Sequence, residues 1–121
     1  LKTYISIDGD DIGRKITACY IENDEQKLSN LSNLLSVAVR KITKLLQAEG
    51  FSVIFSAADG VVGFSDKPSI DFPALHKKIQ SIAPLGITFS AGVGRSLREA
   101  YLALTYAKSS GKNSIADLNC P

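Results

Sequence analysis

Residues 3–13 read Thr-Tyr-Ile-Ser-Ile-Asp-Gly-Asp-Asp-Ile-Gly, and the change of rhythm inside them decides the fold. Thr3, Ile5 and Ile7 fall on one face and Tyr4, Ser6 and Asp8 on the other, the two-residue period of a short strand. The alternation runs into the densest acidic cluster of the chain, Asp8, Asp10 and Asp11 around Gly9, closed by Gly13. Arg14 to Tyr20 opens a first short helix, so the chain starts as strand, acidic turn and helix.

Beyond a polar break at Asn23 to Lys27, Leu31, Leu34, Leu35, Ala38, Ile42, Leu45 and Leu46 recur at helical spacing up to Gly50, with Ser29 or Asn30 as cap. Phe51, Val53, Phe55 and Ala57 share one face of a second strand, and Val61, Val62 and Phe64 follow Asp59-Gly60, the sign of a tight hairpin. Asp71 and Pro73 start a helix with the stripe Phe72, Leu75, Ile79 and Ile82, stopped by Pro84. Gly86 to Gly94 alternates as a strand, Ser96 to Glu99 has the capping-box pattern, and Ala100, Leu104 and Ala107 carry a last helix to Gly111. A short strand around Ser114 to Ala116 completes the order. The pattern predicts one α+β domain over residues 1–121, a ferredoxin-like split βαβ fold whose mainly antiparallel sheet carries its helices on one face.

With 121 residues, 45% of them hydrophobic, the chain can bury one modest core. A net charge of +2 disfavours nonspecific nucleic-acid binding by massed positive charge. Cys19 and Cys120 make neither a disulfide framework nor a zinc site, and any histidine-dependent catalysis must route through His76 alone. Without a membrane span or signal peptide pattern, the expected location is cytoplasmic. Chemistry has to come from carboxylates and lysines.

If the acidic turn and the hairpin tip meet at one sheet edge, Asp8 and Asp59 come together. With Gly9 lending its carbonyl and Asp10 as a further candidate, they offer hard oxygens for two Mg²⁺ or Mn²⁺ ions. The same residues also read as a helix cap and a hairpin turn, and the residues alone leave both readings open. The Asp10-Asp11-Ile12-Gly13 segment presents free N–H groups at a helix start, a cradle for a triphosphate. Lys108 and Lys112, four apart, can meet one anion, or simply serve the helix dipole. Ser110-Gly111-Lys112-Asn113 is not a Walker sequence, since it follows a helix and lacks the earlier glycine. Tyr101 and Tyr106 are expected in the partial core, His76 at the surface and Cys19 buried. Asn30, Asn33 and Ser90 are candidates for a base pocket between the long helix and the sheet.

Asp8-Gly-Asp-Asp-Ile-Gly13, Ala57-Ala-Asp-Gly60, Gly92-Val-Gly-Arg-Ser-Leu-Arg-Glu-Ala100 and Ala107-Lys-Ser-Ser-Gly-Lys-Asn113 together resemble the palm superfamily of GGDEF nucleotide cyclases and CRISPR polymerases, most closely the minimal CRISPR polymerases. The resemblance implies that Asp8 and Asp59 bind metal with the Gly9 carbonyl, and that Asp10 holds the second acidic position. It places Ile12 and Gly13 in the triphosphate loop and Lys108 and Lys112 on phosphate. The hairpin departs from the G-G-D/E-E-F of cyclases, which argues against diguanylate cyclase activity. The family makes cyclic adenine nucleotides from ATP in antiphage defence and signals to a separate effector, so direct membrane or guide-RNA binding is not expected. Alternatives are a GTP-directed relative of GTP cyclohydrolase III, or a catalytically idle nucleotide-binding regulatory domain. Because no second phosphate cradle is visible for an acceptor nucleotide, a homodimer with facing sites is expected.

Overall fold

In a computed structural model of the chain, residues 1–118 are described; Cys120 lies outside them. The elements are β1 (Thr3–Gly9), α1 (Ile12–Ile21), α2 (Glu25–Ala48), β2 (Ser52–Ala57), β3 (Gly60–Ser65), α3 (Phe72–Ile82), β4 (Phe89–Gly94), α4 (Leu97–Ser109) and β5 (Ile115–Asp117). They form a five-stranded sheet in the order β2-β3-β1-β4-β5. All pairings are antiparallel except the parallel β4–β5 edge. The α+β expectation therefore holds, with β1 at the centre. Among the described residues no helix is long and apolar enough to cross a membrane.

Local chemistry sets the helix ends. Ser96 Oγ accepts from the Glu99 N–H at 3.1 Å while the Glu99 carboxylate accepts from the Arg95 N–H at 2.9 Å, so the expected box forms at the start of α4, shifted by one residue. The Asp71 side chain likewise caps α3 by accepting from the Ala74 N–H. The polar stretch before α2 is a break only in its first part: Asn23 and Asp24 separate α1 from α2, and Glu25–Lys27 already form the first turn of α2. Asp24 accepts from the Lys27 N–H at 3.0 Å, which moves the cap upstream of Ser29 and Asn30.

Ile5, Ile7, Val61, Phe89, Ala91 and Val93 turn to one side of the sheet, where they pack with Leu35, Ile42, Leu46, Leu75 and Ile79 of α2 and α3. The other side differs from the one-face expectation. Ser6 pairs with Gly92 and Tyr4 with Gly94, so these residues share the opposite face. A Cβ added at Gly92 would stand 2.0 Å from the Leu104 backbone nitrogen and 2.2 Å from the Ala100 carbonyl oxygen. Helix α4 thus lies directly on this second face, and the absence of side chains at Gly92 and Gly94 is what lets its backbone approach.

Expectations for four residues are corrected by packing. The β2–β3 register shifts between Val53 and Phe55, which reverses the parity of the strand, and Phe55 is 58% exposed. Tyr101 and Tyr106 flank the buried Ala100, Ala103, Leu104 and Ala107 stripe of α4 and stay exposed. His76 is half-buried rather than at the surface, and its Nε2 is enclosed without a hydrogen-bond partner among the described residues. Cys19 is buried, as expected.

Candidate active site

The central position of β1 brings its C-terminal end beside the β2–β3 hairpin. Asp8 stands opposite Gly60 in the register, and the Gly9 N–H donates to the Asp59 carbonyl at 2.9 Å. Ala58, with φ of 53°, turns the tip over the strand end. A side chain at Gly9 would press to 2.7 Å from Ile12 and reach 3.4 Å from the Asp59 Cβ, so the acidic turn closes only around glycine. These contacts bring Asp59 near enough to Asp8 for its charge to act on the Asp8 carboxyl. Burial pushes the Asp8 carboxyl above the usual range and the Asp59 charge adds to this, while Lys108 pulls the other way.

Asp10 stands apart from this pair in its hydrogen bonding. It is 3% exposed, and both its oxygens are taken: Oδ1 accepts from Ser90 Oγ at 2.7 Å and Lys108 Nζ at 3.1 Å, Oδ2 from Thr88 Oγ1 at 2.7 Å and the Asn113 N–H at 3.0 Å. Burial opposes ionisation, yet these hydrogen bonds outweigh it and hold the carboxyl below its ordinary range. Asp10 is a brace that ties the acidic turn to β4, α4 and the loop before β5.

Asp11 sits at the α1 N-terminus in the left-handed region, φ 60°, and its side chain caps nothing. It pairs instead with Lys112 and Arg14, and the Lys112 bond lowers its pKa. The cap reading of the acidic run is therefore not the one the backbone adopts. The first N–H groups of α1, around buried Ile12 and open Gly13, have no side-chain partner from Asp11. Lys108 and Lys112 both reach the acidic turn from across the sheet, Lys108 at the Gly9 carbonyl and Lys112 at Asp11.

A cavity of about 470 Å³ opens beside Asp59, lined by Ile12, Ile16, Leu31, Leu35, Ser32 and Ser36 among others. Asn30 and Asn33 face a different groove, with Val37, Lys41, Ile82 and Pro84. Ser90 is fully buried under Asp10. The expected pocket of Asn30, Asn33 and Ser90 is thus not one place, because Ser90 points to the α4 side of the sheet. Ser32 and Ser36 escaped the sequence reading; their four-residue spacing beside Leu28, Leu31 and Leu35 was the available signal.

The donor set suits a hard divalent cation. The Lys108 ammonium stands among oxygens of the same turn, 2.9 Å from the Gly9 carbonyl, 3.2 Å from Asp8 Oδ2 and 3.1 Å from Asp10 Oδ1. No group of three or more metal-type side chains occurs among the described residues. Asp8, Asp59 and the Gly9 carbonyl would therefore hold an ion only with water or phosphate oxygens completing the shell, the usual arrangement for Mg²⁺.

The family model described as the minimal CRISPR polymerase domain matches residues 4–118. No curated protein sequence matches the chain. Among solved structures, the active GGEEF domain of a diguanylate cyclase from Vibrio cholerae is similar at 14% identity and TM-score 0.66, covering 96% of this chain and 81% of that one. The Csm1-Csm4 cassette in complex with one ATP is similar at 14% identity and TM-score 0.67, over 94% of this chain but only 20% of that one. The adenylyl cyclase CyaB from Pseudomonas aeruginosa follows at 17% identity and TM-score 0.54, covering 94% and 74%. At these identities the likeness is one of fold.

Proposed function

The chain belongs to the minimal CRISPR polymerase family, and from that premise we propose that it is a metal-dependent nucleotidyltransferase making cyclic adenine di- or oligonucleotides from ATP. The observation that carries this reading is the Asp8–Asp59 pair, held side by side with the Gly9 carbonyl at the end of the central strand. Two Mg²⁺ or Mn²⁺ ions at Asp8, Gly9 and Asp59 would activate a ribose hydroxyl and offset charge on the phosphate under attack. In the reaction a ribose oxygen bonds to an α-phosphorus, the bond to pyrophosphate breaks, and the hydroxyl proton leaves to solvent.

The chain's own groups divide the remaining work. The N–H groups at Ile12 and Gly13 face the triphosphate, and Lys108 and Lys112 neutralise it from α4 and the loop beyond. The cavity between α1 and α2 takes the base, with Ser32 and Ser36 as hydroxyl partners. ATP is the proposed substrate because the Csm1-Csm4 cassette of the same fold binds it. One such cradle occurs among the described residues, so the acceptor nucleotide is brought by a second copy in a two-fold dimer. The product acts on a separate effector in antiphage defence, and the enzyme works in the cytoplasm.

Incubating the protein with each nucleoside triphosphate and Mg²⁺ or Mn²⁺, then identifying products by mass, tests the reading. Cyclic adenylates from ATP are expected. Turnover of GTP but not ATP would replace it with the GTP-directed alternative.

A further inference from the structure

Lys108 occupies the place its own site offers to metal. Its ammonium donates hydrogen bonds to the Gly9 carbonyl and Asp10 Oδ1 and forms an ion pair with Asp8 Oδ2 at 3.2 Å. The side chain is 27% exposed, so these contacts form partly out of water. Two of the acceptors, the Gly9 carbonyl and Asp8, are the atoms assigned above to a divalent ion. An ion bonded to the Gly9 carbonyl at roughly 2.1 Å would stand close beside an ammonium on the same oxygen, and two unshielded positive charges do not share such a position.

Resting on the metal reading of Asp8 and Asp59, we propose that Lys108 is an exchangeable counter-ion, which holds the acidic pair together without metal and must leave Gly9 and Asp8 before a divalent ion can enter. Asp10 makes the exchange local. Its Oδ1 keeps accepting from Lys108 while Thr88, Ser90 and Asn113 fix the carboxylate, so the lysine can pivot on Asp10 and turn its free protons to a triphosphate. The positioning residue thus favours entry of metal together with nucleotide over metal alone. A bare ion faces competition from the ammonium, whereas phosphate oxygens give the ammonium another partner. By linkage the preference is reciprocal.

The test uses Mn²⁺ alone, titrated against the full chain and followed by loss of the free-ion electron paramagnetic resonance signal. Lys108→Met is expected to bind Mn²⁺ about tenfold more tightly than wild type, while Lys108→Arg, which keeps the charge, stays near wild type. Thermal melting gives a second readout: Lys108→Met melts lower than wild type without metal and gains more from Mn²⁺. Asp59→Asn in the Lys108→Met background should remove the added affinity. If Lys108→Met binds Mn²⁺ no better than wild type while Asp59→Asn still abolishes wild-type binding, the exchange is wrong and the metal site stands. If no variant binds Mn²⁺, or binding survives loss of both Asp8 and Asp59, the metal reading falls and the exchange with it.

Discussion

Ser90 Oγ donates a 2.7 Å hydrogen bond to Asp10 Oδ1, joining residues 80 positions apart on β4 and in the acidic turn. The bond fixes which carboxylates of the Asp8–Asp11 run face outward. Asp10 is turned in and satisfied, and Asp8 is left beside Asp59.

Asp10→Asn is expected to destabilise the fold by about 2–4 kcal/mol. The Thr88 and Ser90 hydroxyls can reverse to accept from an amide, but Lys108 and the Asn113 N–H can only donate, so two donors compete for one amide oxygen. Urea unfolding at pH 7 measures the loss; a variant as stable as wild type would show that the brace is dispensable.

Acid should reveal the same group. Burial raises the Asp10 carboxyl, but hydrogen bonds from Thr88, Ser90, the Asn113 N–H and Lys108 leave it lowered in the folded chain. Its stabilisation is therefore fully present above the unfolded value of about 3.9 and is lost as pH falls through the folded value. Stability measured from pH 5 downward should drop more steeply in wild type than in Asp10→Asn.

Asp8 carries the opposite sign. Burial and the neighbouring Asp59 raise its folded pKa, so stability declines as pH climbs through the interval from the unfolded to the folded value. Asp8→Asn should therefore lose nucleotide turnover at neutral pH yet keep a urea midpoint close to or above that of wild type. A large drop in the midpoint would mean that the Lys108 contact outweighs the crowding of the carboxyls.

Two packing substitutions separate a covered from an exposed position on the same face, since Phe55, Val62, Ser6 and Gly92 lie opposite one another across the strands. Gly92→Ala forces a methyl to 2.0 Å from the Leu104 backbone nitrogen and should cost about 3 kcal/mol or prevent folding. Phe55→Ser, at an exposed position of the edge strand, should change stability by less than about 0.5 kcal/mol. Thermal melts of the pair give the comparison, and a large loss for Phe55→Ser would contradict the bulge.

Much of this was legible in the residues because it depends on local rules. Ile5 and Ile7 alternate, the Leu35–Leu46 stripe repeats at helical spacing, and Asp59-Gly60 marks a turn, so strand, helix and hairpin follow from chain geometry and short-range side-chain chemistry. The order of these elements was enough to predict the split βαβ sheet and to suggest that Asp8 and Asp59 meet.

Tertiary structure decided what depends on partners far away in the chain. Asp8 and Asp10 are alike to any local rule, and only the arrival of Thr88, Ser90, Lys108 and Asn113 from distant elements turns Asp10 inward and leaves Asp8 beside Asp59. The face chosen by α4 likewise depends on backbone approach at Gly92, and the exposure of Phe55 on a register shift against β3. Hydrogen-bond satisfaction and close packing are properties of the assembled neighbours, so neither is encoded in the residue that displays it.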